Sequence, residues 1–142
     1  MSAIEGGRMS EIWIFGHPPS EESGKFKNES EMIEWMKEGL FNDEGGRYRY
    51  TQQREGTRII VVSFAGKILG YFNVLKDEGP NQDDKREFQD TTWVYVIERS
   101  NVFEFKNKLS DFVNPKIQFG KSISDETFEV IKHKGGKIET FR

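Results

Sequence analysis

Ile59-Ile60-Val61-Val62-Ser63-Phe64, then Ala65-Gly66-Lys67, then Ile68-Leu69-Gly70-Tyr71-Phe72-Asn73-Val74 is the stretch that decides the fold. The first run is the strongest strand signal in the chain, because β-branched and aromatic residues fill five of its six positions. Ala65-Gly66-Lys67 supplies a tight turn, so the two apolar runs predict a β-hairpin. Gly70 interrupts the second strand and predicts a bulge, a strong bend or a close neighbouring chain, each of which helps to curve a sheet toward a barrel.

Upstream of the hairpin, Arg47-Tyr48-Arg49-Tyr50-Thr51 alternates charge with aromatic rings, so one face of a strand carries both arginines and the other both tyrosines. Such a strand suits an edge or a groove. From Asn28 the period changes to helical: Ile33, Met36 and Leu40 recur at offsets of three and four, flanked by Met32 and Trp35, with Glu31, Glu34, Lys37 and Glu38 mostly opposite. Asn28 and Glu31 fit a capping box, with Ser30 as the cap of a shorter alternative, and Gly45-Gly46 offers an exit. Before the helix, Ile12-Trp13-Ile14-Phe15 reads as a short buried strand ended by Gly16 and Pro18-Pro19. Residues 1–10 read as a flexible leader, and residues 11–142 as a single domain.

Downstream, Asp77 through Asp90 is polar and acidic, and reads as a long surface loop. Trp93-Val94-Tyr95-Val96-Ile97 restarts the sheet. Val102-Phe103-Glu104-Phe105 predicts a further short strand, after which Leu109 and Phe112 return to the core. Ser122 through His133 fits a helix with Ser122 and Ser124 as caps, and Asp125 and Glu126 at its positive end. Gly135-Gly136 stops that helix, leaving Lys137-Ile138-Glu139-Thr140-Phe141 as a closing strand. At least five strands and two helices predict a mixed α/β domain with a curved sheet.

Composition narrows the chemistry. Among 142 residues there is no cysteine, which removes disulfides, thiolate nucleophiles, iron–sulfur clusters and Cys-containing zinc sites. His17 and His133 are the only imidazoles and stand in no metal-binding spacing, so neither a metal nor a cofactor is expected. No phosphate-loop or dinucleotide fingerprint is present, and no serine stands in a glycine-flanked nucleophile pattern, so no catalytic residue is assigned and a non-enzyme is expected. No run approaches a membrane span and no signal-peptide hydrophobic region opens the chain, which points to a cytoplasmic protein. The net charge of −3 hides alternating blocks of −6 (residues 1–45), +5 (46–76), −5 (77–98) and +3 (99–142). Local basic surface of this kind can attract an anionic partner despite an acidic total.

The combination that points to a partner is aromatic surface beside positive charge. Arg47, Arg49, Arg54 and Arg58 are candidates to contact a nucleic-acid backbone. Trp35, Trp93, Tyr48 and Tyr50 are candidates to line a base-binding pocket, because rings pack around a base and its apolar methyl group without charging the site. The competing reading is a protein-interaction or scaffold domain in which the rings are core and the charges solubilise strands; an enzyme acting on nucleosides or nucleic acid is a third.

From Ile12 to Lys132 the chain resembles the PUA-like superfamily, nearest its EVE and YTH branches and the modified-DNA recognition domains of modification-dependent restriction systems. The resemblance is carried by Ile12-Trp13-Ile14-Phe15, Ile33-Glu34-Trp35, the run from Ile59 through Gly70, Trp93-Val94-Tyr95-Val96, Val102-Phe103-Glu104-Phe105 and Ser122 through Phe128. It implies a small curved β-barrel of about five or six strands with flanking helices, and recognition of a modified base, at times flipped into an aromatic pocket. Where YTH relatives carry Lys-Ser after the first strand, Gly16-His17-Pro18-Pro19 stands here. The implied partner is methylated DNA in preference to RNA, with a nuclease or motor supplied by another domain or chain.

Overall fold

A computed structural model describes residues 11–19, 26–51, 54–80, 92–114 and 120–142. The deciding hairpin forms as read: β3 (Ile59–Phe64) and β4 (Lys67–Pro80) pair antiparallel across Ala65 and Gly66. Both turn residues have positive φ, 50° and 83°, the left-handed pair that a two-residue hairpin requires. All six residues of β3 are buried, because the strand is covered on both faces.

β1 (Ile12–His17) lies parallel to β3 and antiparallel to the short β6 (Gly120–Ser122). β5 (Trp93–Lys108) pairs with β4 along one side. Its other side takes β2 (Arg47–Tyr50) and then β7 (Ile138–Phe141). The hydrogen-bonded path is therefore β2-β5-β4-β3-β1-β6, with β7 attached to β5. The domain is mixed α/β: a curved, partly open sheet flanked by two helices.

Two sequence expectations change here. Asp77–Pro80 belongs to β4, where Pro80 pairs with Trp93, so the strand enters the segment read as loop; residues 81–91 lie outside the described residues. Val102–Phe105 is not a separate strand but the continuation of Trp93–Ile97 within β5. The reason for both is curvature. The β4–β5 ladder shifts register at Ile68/Gly70, Asn73/Val74, Val74/Lys76 and Asp77/Gly79, and each shift breaks the simple alternation by which a long strand is recognised. At Gly70 a Cβ atom would lie 1.9 Å from the Asn101 carbonyl oxygen, so the close neighbouring chain anticipated there is β5.

The first helix runs through an α-helical segment Glu29–Glu34, a π-helical turn Trp35–Gly39 and a last turn Leu40–Asn42. Asn28 caps it by accepting the Glu31 N–H at 2.9 Å, while the Glu31 carboxylate accepts from Lys27 N–H, one residue earlier than a standard capping box. Gly46 N–H closes the exit onto the Leu40 carbonyl at 2.9 Å. The second helix is Asp125–Gly135, capped by Ser124, whose Oγ accepts Thr127 N–H at 3.1 Å. Ser122, read as a possible cap, belongs to β6. The leader, residues 1–10, lies outside the described residues.

Two apolar clusters cover the sheet. Phe15, Ile60, Val62, Phe72 and Tyr95 pack with Met32, Trp35, Met36 and Leu40 of the first helix. Ile12, Ile14, Ile59, Val61 and Phe103 pack with Phe128 and Ile131 of the second. Strand periodicity of two sends alternate residues of β1 and β3 to opposite helices, which is why both strands are apolar almost throughout.

Candidate functional site

The sheet rolls far enough to bring its edge strand β2 against β1 without forming a ladder between them. Side chains bridge that seam instead. The Tyr50 hydroxyl donates to the Gly16 carbonyl at 2.8 Å, and the Tyr50 ring stacks on Phe15 with centroids 4.1 Å apart and planes 7° from parallel. Tyr48 hydroxyl and His17 Nε2 are 2.7 Å apart, and His17 Nδ1 lies 2.9 Å from the Ser63 carbonyl of β3. A carbonyl only accepts, so Nδ1 carries the imidazole proton and Nε2 accepts the Tyr48 hydroxyl proton.

These partners fix the charge at the seam. Burial lowers the His17 pKa from 6.5 to about 4, with the Ser63 hydrogen bond opposing it, so the ring is neutral near pH 7. Burial pushes the Tyr50 hydroxyl up to about 12 and Tyr48 well above its ordinary value, with the neighbouring Tyr50 and Tyr95 adding to the Tyr48 shift. The bridging groups are all uncharged, and both ring nitrogens of His17 are occupied. The imidazole is therefore poised neither to bind a metal nor to act as a general base without losing a hydrogen bond.

Against this seam lies a concave pocket of about 600 Å³, within the range of small-ligand sites. His17 and Ser63 contribute to its lining from β1 and β3, Pro18-Pro19 from the chain leaving β1, the Ala65–Lys67 turn from the hairpin, and Lys108 to Ser110 from the end of β5. Lys67, Lys108 and Ser110 are exposed. The pocket thus combines an uncharged interior with two lysines at its mouth. A smaller cavity of about 350 Å³ lies between the first helix, β5 and β7, where Lys37 and Glu139 form an ion pair at 3.4 Å.

The predicted site residues separate into groups. Trp35 and Trp93 are each 8% exposed and Tyr48 3%, and all three belong to the principal core. Trp35 contacts Phe26, Tyr48 and Phe72, whereas Trp93 stands opposite Tyr50 in the β2–β5 register. Tyr48 and Tyr50 do meet, with centroids 5.9 Å apart, and together they back His17. Trp35, Tyr48 and Tyr50 are thus linked by ring contacts and Trp93 joins them only through the strand register and the shared core, but none of the four is among the residues that line the 600 Å³ pocket.

The arginines do not form one surface. Arg47 pairs with Glu78 at 3.0 Å and Arg49 with Glu44 at 3.2 Å. Arg58 pairs with Glu11 at 2.8 Å and Asp125 at 3.3 Å, and the Arg54 guanidinium lies 4.5 Å over the Trp13 ring. Sequence reasoning did not select His17, Lys67, Lys108 or Ser110. The available signal was Gly16-His17-Pro18-Pro19 at the end of β1, a histidine set between a glycine and two prolines where the first strand stops.

Among the described residues there is no group of three or more His, Cys, Asp or Glu placed to hold a metal ion, and no helix long and apolar enough to cross a membrane. Comparison with family models, curated proteins and solved structures found no match to the chain.

Proposed function

We propose that this domain binds nucleic acid and reads a modified base, with methylated DNA as its favoured target, by admitting the base to the pocket beside His17. The observation that carries the reading is one open pocket of about 600 Å³ whose lining pairs uncharged groups, His17 and Ser63 among them, with two exposed lysines. A nucleotide has the same division: a flat, uncharged base and an anionic backbone. His17, with both nitrogens already hydrogen-bonded, presents no unsatisfied polar atom to an added methyl group. Extraction of a base from a duplex costs a few kcal/mol of unstacking, which favourable packing in the pocket would offset.

The curved open sheet with a helix on either side supports, at coarse level, the PUA-like barrel that the sequence resemblance implies. Tyr48 and Tyr50 act in this reading as the backing of the pocket, and Trp35 and Trp93 as the core that holds β2 in place. The domain recognises and a partner nuclease or motor acts, so no catalytic residue is assigned.

The test is equilibrium binding to matched labelled DNA and RNA probes containing unmodified, N6-methyladenine, 5-methylcytosine or 5-hydroxymethylcytosine bases. Ser110→Trp, at an exposed position on the pocket wall, serves as a plug that leaves the core untouched. The proposal expects one modification to be preferred by about tenfold, equal to about 1.4 kcal/mol, and the preference to disappear in the plugged, still-folded variant. No binding to any probe at low salt would overturn it and put the protein-interaction reading first.

A further inference from the structure

We infer that Lys67 and Lys108, with Ser110 beside them, form a phosphate site at the mouth of the pocket. The ligand's identity as a nucleotide rests on the base-reading proposal; the anion site itself does not. Lys67 opens β4 and Lys108 closes β5, and the two are direct partners in the antiparallel register. Like charges placed opposite one another on a sheet repel, and an anion bound between them relieves that repulsion. Both lysines line the same cavity, and Ser110 adds a hydroxyl from the same wall.

Charge compensation separates this pair from the arginines. Among the described residues a single carboxylate reaches ion-pair range of the two amines: Glu29, 3.9 Å from Lys67 Nζ. That leaves a net positive mouth, whereas Arg47, Arg49 and Arg58 each face a carboxylate of this chain at 3.2 Å or less. An incoming phosphate must break those close pairs to use the arginines, whereas at the lysines it competes only with the long Lys67–Glu29 contact. The geometry also sets an order, with phosphate outside at Lys67 and Lys108 and base inside at His17 and Ser63. This is the arrangement a flipped nucleotide requires.

The test compares the salt dependence of oligonucleotide binding by the full chain for wild type, Lys67→Gln/Lys108→Gln and Arg47→Gln/Arg58→Gln. In parallel, each protein is titrated with inorganic phosphate and followed by amide NMR. Neutralising one phosphate contributes about 0.7 to 0.9 to the slope of log K against log salt, so the lysine variant should be shallower by about 1 and the arginine variant unchanged. Phosphate should shift the amides of Lys67, Lys108 and Ser110 in wild type and not in the lysine variant. A shallower slope in the arginine variant alone would overturn the phosphate site while leaving base reading intact. Phosphate shifts without oligonucleotide binding would retain the anion site and remove base reading; neither response would remove both.

Discussion

Acidification isolates His17. Its pKa falls from 6.5 in the unfolded chain to about 4 in the folded protein, where burial opposes charging and Nε2 already accepts the Tyr48 hydroxyl proton. Between these values the unfolded chain binds one more proton than the folded protein, so stability falls as pH falls through the window and no further loss from this group occurs below it. At about 1.36 kcal/mol per unit, the full contribution is about 3 kcal/mol, most of which is lost by pH 4.5. The groups packed around the ring, Tyr48, Tyr50 and the Ser63 carbonyl, are uncharged throughout this range and do not offset the effect. Urea unfolding of wild type and His17→Gln between pH 7.5 and 4.5 measures it. Both proteins carry the same carboxylates and His133, so the difference between their curves reports His17 alone. The variant will be less stable at pH 7.5 because its hydrogen bonds differ, and the gap should narrow by about 2 kcal/mol on acidification. Parallel curves would refute the assignment of a neutral, doubly bonded imidazole.

Tyr50→Phe removes the hydroxyl bonded to Gly16 while keeping the ring stacked on Phe15, and should cost about 1 kcal/mol in chemical denaturation. Gly70→Ala places a methyl group where the Asn101 carbonyl stands 1.9 Å away, so the β4–β5 ladder must shift; a loss of about 3 kcal/mol or more is expected, and a near-neutral outcome would contradict the close approach. Ser124→Ala removes the cap accepting Thr127 N–H and should cost about 1 kcal/mol, read from the thermal midpoint.

The elements with one dominant period were legible in the sequence. The β3–β4 hairpin and the capped first helix follow from apolar runs whose local preferences agree with their burial, and the terminal strand, though largely exposed, follows from the Gly135-Gly136 stop before it. β5 was read as two pieces because Glu98 and Arg99 lie exposed between its apolar halves, while the strand changes neighbours from β2 to β7. β6 was missed: three residues, Gly120-Lys121-Ser122, pair with β1 without an apolar pattern of their own.

The site was harder to read for a related reason. Rings and arginines are conspicuous in sequence, but burial and ion pairing are decided by partners distant along the chain. Trp35 is covered by Phe26 and Phe72, and Arg58 meets Glu11 and Asp125. Conversely, Lys67 and Lys108 become neighbours only through the β4–β5 register, which no local spacing announces. The Arg-Tyr alternation was informative about faces: it placed Tyr48 and Tyr50 together, and the fold turns them toward His17.

The most direct test of the central claim is amide NMR mapping of the bound modified-base oligonucleotide on the full chain. The account predicts the largest shifts at Gly16, His17, Ser63, Lys67 and Ser110, around one cavity. Shifts concentrated on the arginine face of β2 or along the second helix, or no shifts at all, would contradict it.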